Sequence, residues 1–343
     1  MSRRAWPQEA VDLQRTVRGV LADLGGVELA RSAEEKLQVR GEAVAPALAA
    51  VGVLDLDPYG AEEESAAAAL AVRACGEFVA PWPLARSLSV PAALRAEVDA
   101  CYVVDGAVTH LEHADIFQRA VAVRLGAGAG AFPVTAGGAR RAPLDPFGMS
   151  VTLGPEEGPR LPERAVLMSF VLDGFWVAGA LAAATGHAAR YATTRRQFGK
   201  PIGRFGEIRW RLADMAVAAD GADELAAYTW FLVRRGRATM ADALALRVGV
   251  LEAAGTVLRN AHQVLGAVGL CEEHDLTVLD RHLTPALLRP TAPARSANLL
   301  LEAVNRLGFA GTFDVPPRRD LSQRPSKSPV DLSTVDGHER HNP

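Results

Sequence analysis

Apolar residues recur at near-helical spacing from Glu9 to about Leu24, where Val11, Val17, Leu21 and Leu24 fall along EAVDLQRTVRGVLADL. A second such stretch covers about Ser32 to Val51, and a third runs from Glu62 to Val79 through SAAAALAVRACGEFV. Alanine has no side-chain rotamers to lose and lets backbones approach closely, so the first ~90 residues read as a helical unit. The Pro-punctuated segment Ala80–Pro91 closes it. The pattern then changes. Cys101–Asp105, Ala107–Leu111, Arg119–Leu125 and Ala131–Val134 are short β-branched runs separated by DG, EHAD and a Gly-rich stretch, and they read as strands of a small sheet. From about Leu161 helical periodicity returns over roughly 168–194, 205–236, 239–269 and 294–308. After Gly311 the chain is rich in Pro, Ser and charge, too polar to offset the entropy of ordering. The prediction is a mainly α protein with a small central β domain. Its N-terminal helical domain covers 1–95, the β domain 96–160, a C-terminal helical bundle 161–310, and a disordered tail 311–343.

Composition narrows the function classes. At 343 residues the chain exceeds what one hydrophobic core usually supports, and 49% apolar with 22% charged residues fits a soluble globular protein. A net charge of −3 supplies no basic field for nucleic acid or anionic lipid, so neither a nucleic acid nor a membrane is expected as partner. The cysteines Cys75, Cys101 and Cys271 are too widely spaced for a metal cluster and odd in number, which makes a reducing cytoplasm the default location. The N-terminal charges lack the apolar run of a secretory signal. One segment, Ala165–Thr185, has the length and apolarity of a membrane span, but Asp173 interrupts it and an Arg-rich sequence follows, so it reads as a buried helix.

The most distinctive stretch is Tyr191–Ala219, YATTRRQFGKPIGRFGEIRWRLADMAVAA. A helix is expected to end near Phe198–Gly199, where glycine can take the left-handed cap conformation, and Pro201 stops its continuation. Around that corner sit Arg195, Arg196, Lys200, Arg204, Arg209 and Arg211. Such cations suit a pyrophosphate; they also suit an ordinary solvated face paired with acids. A second stretch, QVLGAVGLCEEHD over Gln263–Asp275, reads by itself as a helix terminator.

The first string resembles the acyl-CoA dehydrogenase signature Y-A-x-x-R-x-Q-F-G-x-P-I, followed by L-A-D-M, with Gly206 where that family usually has Gln. The second resembles the family's Q-x-x-G-G-x-G-[FY]-x-x-E-H, with Ala267 and Leu270 as departures. The resemblance implies an acyl-CoA dehydrogenase-like fold: N-terminal helical domain, shortened β domain, C-terminal four-helix bundle. It also implies FAD as cofactor, an acyl-CoA substrate and an electron-transfer flavoprotein as acceptor. Carried over, Arg195, Gln197 and Phe198 would contact the ADP half of an FAD held mainly by a neighbouring subunit, with Gln263 and Gly266 near the same half. Guanidinium would meet pyrophosphate, amide a phosphate or ribose oxygen, and the ring the nucleotide.

Family members take the substrate α-proton with a glutamate, in some on a loop near the C-terminus. The corresponding LLRPTAPARSANLL here holds no carboxylate. Other members carry it on the long helix, eleven residues before the Gln of the second motif, which is Glu252. Glu252 is the candidate catalytic residue; it also suits a helix–helix interface paired with Arg247 or Arg259. The family's L-T-E-P-x-A-G-S-D segment, which holds the flavin ring, is absent from Pro91–Ala114. Contacts reaching a neighbour's flavin are thus kept, and those holding the chain's own are eroded. This pattern is similar to the short subunit of bacterial α2β2 acyl-CoA dehydrogenases, several of which act on steroid side-chain CoA thioesters. The implied partner is a homologous acyl-CoA dehydrogenase subunit. A homo-oligomer using Glu252 as base and a catalytically silent structural subunit are the alternatives.

Overall fold

The computed structural model describes residues 6–125, 130–139 and 142–309. The tail expected over 311–343 lies outside the described residues.

Two helices of the N-terminal third follow the apolar pattern, α1 (Gln8–Asp23) and α4 (Glu62–Glu77), while α2 (Val27–Glu35) begins before the helix expected from Ser32. The stretch expected as one helix over Ser32–Val51 is broken. Lys36 turns extended, a π-helical turn covers Arg40–Val44, and α3 (Ala45–Ala50) follows with Pro46 in its first turn. The break has a polar cause. Arg40 is buried there, donating to Leu37 O and to Asp115, and a continuous helix would not place it so. α4 runs through the core between α1 and the later bundle; from Ser65 to Glu77 only Arg73 escapes burial. The short α5 (Leu84–Leu88) follows in the Pro-rich segment.

The sheet has five strands in the order β1-β3-β4-β5-β2: β1 (Ala100–Val104), β2 (His110–Glu112), β3 (Ala120–Arg124), β4 (Ala131–Ala139) and β5 (Gly148–Leu153). β1 and β3 are parallel, and the other pairs are antiparallel. β2 starts later than expected, at His110, because residues 107–109 are still in the loop after the Gly106 turn. β5 was not foreseen: its GMSVTL pattern holds few β-branched residues, and it exists by pairing with β2 and β4.

The C-terminal half is helical: α6 (Glu163–Thr194), α7 (Gly206–Arg234), α8 (Met240–Leu265), α9 (Asp275–Leu287) and α10 (Pro293–Leu307). α6, α7 and α8 pack on one another, and α10 covers α8. α6 is long and apolar enough for a membrane span, yet 83% of its most apolar window is buried inside the protein. Sequence periodicity missed α9 altogether and ran α8 on to 269; the chain instead leaves α8 at Gly266, in the left-handed region, through a 3-10 turn over Gly266–Leu270.

Candidate nucleotide corner and cleft

The α6 helix ends at Thr194, where its periodicity stops and short of the cap expected near Phe198–Gly199, because the residues after it pair with each other. Arg196–Gln197 (β6) and Lys200–Pro201 (β7) form a small hairpin, with Gln197 opposite Lys200. Its two loop residues, Phe198 and Gly199, have φ of +48° and +78°. That is the primed-turn pattern favoured in two-residue hairpins, with glycine at the second position and a costly aromatic at the first. Phe198 is 91% exposed at the tip, so packing within the chain, an edge contact with Phe205 at 6.0 Å, repays little of the conformation. Arg196 donates to Gly199 O at 2.8 Å and closes the loop, and Ile202 N–H bonds Arg195 O at 2.8 Å. Since side chains alternate along a strand, Arg195 and Gln197 share one side of the hairpin.

The solvated-face alternative required acids beside these cations. Arg211 has one, Glu207 at 2.6 Å, but Arg195, Arg196, Lys200, Arg204 and Arg209 make no ion pair among the described residues. Arg195, Gln197 and Phe198 all face outward. Gln263 and Gly266 are also exposed, at the end of α8. Arg211 Nη1 bonds Asn260 Oδ1 at 2.9 Å, which puts the start of α7 beside the end of α8; both motifs thus lie at the same end of the bundle. No hydrogen bond joins them among the described residues. Gly266 has φ of +60°, and a Cβ placed there would meet open space, so the backbone lies open to an approaching group. Five cations without an ion pair among the described residues, two exposed amides and an open backbone fit the ADP half of a dinucleotide.

Glu252 lies on the exposed side of α8. The pairing with Arg247 does not form: Arg247 donates instead to Leu287 O and Thr291 O. No ion pair with Arg259 forms either among the described residues.

Sequence reasoning missed a second feature. A cleft lies between the sheet, α5, α6, α8 and the end of α9, with about 930 Å³ of unfilled space including its open mouth. Trp82, Leu84, Phe147, Phe170, Val177 and Val250 give it apolar walls. An ionic network crosses it: Arg86 bridges Glu112 and Asp173 at 2.9 Å each, and Arg289 bridges Glu112 at 3.0 Å and Asp145. Burial opposes ionisation of Glu112, but Arg289 and Arg86 outweigh it and hold that carboxyl below its usual range. Burial wins at Asp173 and pushes its carboxyl up against the pull of Arg86. The signal was present in the sequence, as single charges (Asp173, Arg247) inside long apolar helices.

Comparison with known proteins gives the following. Residues 174–289 match the family described as acyl-CoA dehydrogenase, C-terminal domain. Benzylmalonyl-CoA dehydrogenase of Aromatoleum aromaticum is 34% identical over 104 residues, 30% of this chain; the match spans only 28% of that relative. The ChsE4–ChsE5 complex from Mycobacterium tuberculosis superposes with a TM-score of 0.71 at 17% identity, covering 88% of this chain and 98% of that one. The Tcur3481–Tcur3483 steroid ACAD gives 0.69 at 17% identity, covering 87% and 98%. Other structures of this fold hold FAD. The chain has the acyl-CoA dehydrogenase fold, mainly helical with its small sheet.

Proposed function

We propose that this chain is a subunit of an FAD-dependent acyl-CoA dehydrogenase that introduces an α,β double bond into a CoA thioester. In this reading it contributes the ADP-side contacts to an FAD seated chiefly in a homologous partner subunit. The observation that carries the proposal is the outward hairpin: cations without acids, and a strained aromatic at the tip, all facing away from the chain that built them.

Arg195 would hold the pyrophosphate with its planar guanidinium, Gln197 would donate to a phosphate or ribose oxygen, and Phe198 would lay its ring against the nucleotide. Gln263 and the open backbone at Gly266 bind the same half from the end of α8. The hydride-accepting chemistry would come from the flavin ring of a bound FAD. Glu252 takes the α-proton only if a partner covers it, because a solvated carboxylate lacks the raised basicity that the step needs. A silent structural role is therefore the second reading, favoured by the exposure of Glu252. The partner reading is supported by the likeness to a two-protein complex. A steroid side chain as substrate is supported only by the likeness to a steroid ACAD. An electron-transfer flavoprotein as acceptor and a cytoplasmic location complete the proposal.

The visible spectrum tests it. The chain purified alone is expected to be colourless. Co-expressed with a homologous subunit, it is expected to give a yellow complex that acyl-CoA bleaches. Full flavin occupancy and activity in the isolated chain would overturn the heteromer.

A further inference from the structure

The turn that follows α8 carries the open backbone of Gly266, and it is short. Gly266–Leu270 is a single 3-10 stretch, a form whose hydrogen bonds have poor geometry, and Gly266, Ala267, Val268 and Leu270 are exposed. Its own bonds therefore hold it weakly. Other helices hold its inner side. Gly269 is buried, and a Cβ there would lie 2.9 Å from Leu265 Cβ and 3.4 Å from Leu276 Cδ2, so the turn is pressed against the end of α8 and the start of α9.

Thr277 of α9 lies with its hydroxyl 3.0 Å from Gly269 O and 2.8 Å from Cys271 O. Cys271 O also accepts from His274 N–H at 3.0 Å, whereas Gly269 O has Thr277 as its one hydrogen-bond partner among the described residues. A hydroxyl has a single proton to give, and Gly269 O is the acceptor that depends on it. α2 adds a second hold: Arg31 Nη2 donates to Glu272 O at 3.0 Å. Arg281, four residues after Thr277 and so on the same side of α9, meets the Glu272 carboxylate at 2.6 Å and Glu34 of α2 at 3.1 Å. The Glu272 side chain is 75% exposed, so that ion pair holds little; the bonds to backbone carbonyls fix the path of the chain.

We infer that Thr277 is a positioning residue for the nucleotide: its hydroxyl holds the Gly266–Leu270 turn in the form that leaves Gly266 open, and Arg31 steadies the loop behind it. The inference rests on the reading that this corner takes the ADP half of FAD. A turn already in place has no ordering cost to meet on binding. One released by loss of the hydroxyl must be ordered by the ligand, which lowers affinity for any ligand that uses the turn and for no other.

Titration of the flavin-free complex, this chain with its homologous subunit, tests the inference with FAD and with FMN, which lacks the ADP half. Thr277→Val keeps the shape of the side chain and removes the hydroxyl. It is expected to weaken FAD about fivefold, the ratio one net hydrogen bond gives, and to leave FMN binding, or its absence, as in the wild type. Thr277→Ser keeps the hydroxyl and is expected to restore FAD affinity. Arg31→Gln, outside the turn, is expected to weaken FAD in the same selective way, and it decides the matter if Thr277→Val does not fold. Equal loss of FAD and FMN, FAD affinity unchanged in Thr277→Val, or no restoration by Thr277→Ser overturns the positioning role. Arg195→Ala, titrated alongside, separates this failure from that of the corner. FAD affinity that falls there but not in Thr277→Val removes Thr277 alone; FAD affinity unchanged in Arg195→Ala removes the hairpin from the nucleotide site.

Discussion

At the scale of single residues, the hairpin separates function from stability. Phe198 holds a positive φ that costs an L-residue roughly 1–2 kcal/mol, and its ring touches little of its own chain beyond an edge contact with Phe205 at 6.0 Å. Phe198→Gly removes the strain. It is expected to leave the melting temperature of the isolated chain equal or slightly higher, while FAD retention in the assembled complex falls. A drop in melting temperature would mean the ring serves folding. Arg195→Ala is a cleaner loss of charge, since Arg195 makes no ion pair among the described residues. Retention of FAD by the complex is expected to fall at least about tenfold, in keeping with a charge-assisted bond. Undiminished retention would remove the hairpin from the nucleotide site. The string alone singles out Arg195, Gln197 and Phe198, but it does not show the hairpin that carries them. Strand pairing across two residues gives no periodic signal, so the string shows a helix end and a proline stop but not the hairpin between them.

At the scale of elements, the helix crossing at the core depends on two glycines that no periodicity marks. Gly76 on α4 lies against the Trp176 carbonyl of α6, and Gly179 on α6 lies against the Arg73 carbonyl of α4. A methyl at either position would enter the opposing backbone oxygen, which cannot swing away as a side chain can. Gly76→Ala and Gly179→Ala are each expected to cost about 1–3 kcal/mol or more in urea unfolding of the full chain, with an unchanged denaturant slope. Equal midpoints for variant and wild type would show that the crossing is looser. The long helices were readable because apolar residues recur along them for many turns. α9 was not, because Thr, His and Pro interrupt DLTVLDRHLTPAL and its burial is set by α2, α6 and α8. Arg40 likewise broke a helix for a partner 75 residues away, a distance that local pattern cannot span. The cleft escaped notice for the same reason: its charges come from six separate places in the chain.

At the scale of the whole molecule, buried histidines tie folding to pH. Burial, with Arg190 nearby, pulls His187 down to about 4, and burial with Arg40 and His282 holds His113 well below its ordinary value. The unfolded chain then binds more protons than the folded one below the ordinary histidine value of ~6.5. Stability is expected to be full above that pH and to fall as pH drops toward about 4, the value held by His187. His187→Gln is expected to flatten the urea midpoint between these limits, and an unchanged slope would refute the linkage. The outer surface carries the last consequence of the partner reading. Along α7, Trp210 (71% exposed), Val217 (73%), Tyr228 and Phe231 recur at intervals that keep them on one side of the helix. A stripe of large apolar groups on one helix face is unfavourable in water unless another surface covers it. If the homologous subunit covers it, Trp210→Glu is expected to leave the isolated chain folded, because Trp210 is solvated there, and to prevent co-purification with the partner. The yellow colour would be lost with it, since the hairpin that precedes α7 would no longer reach the nucleotide. Co-purification that survives Trp210→Glu together with Val217→Glu would place the partner on a different face.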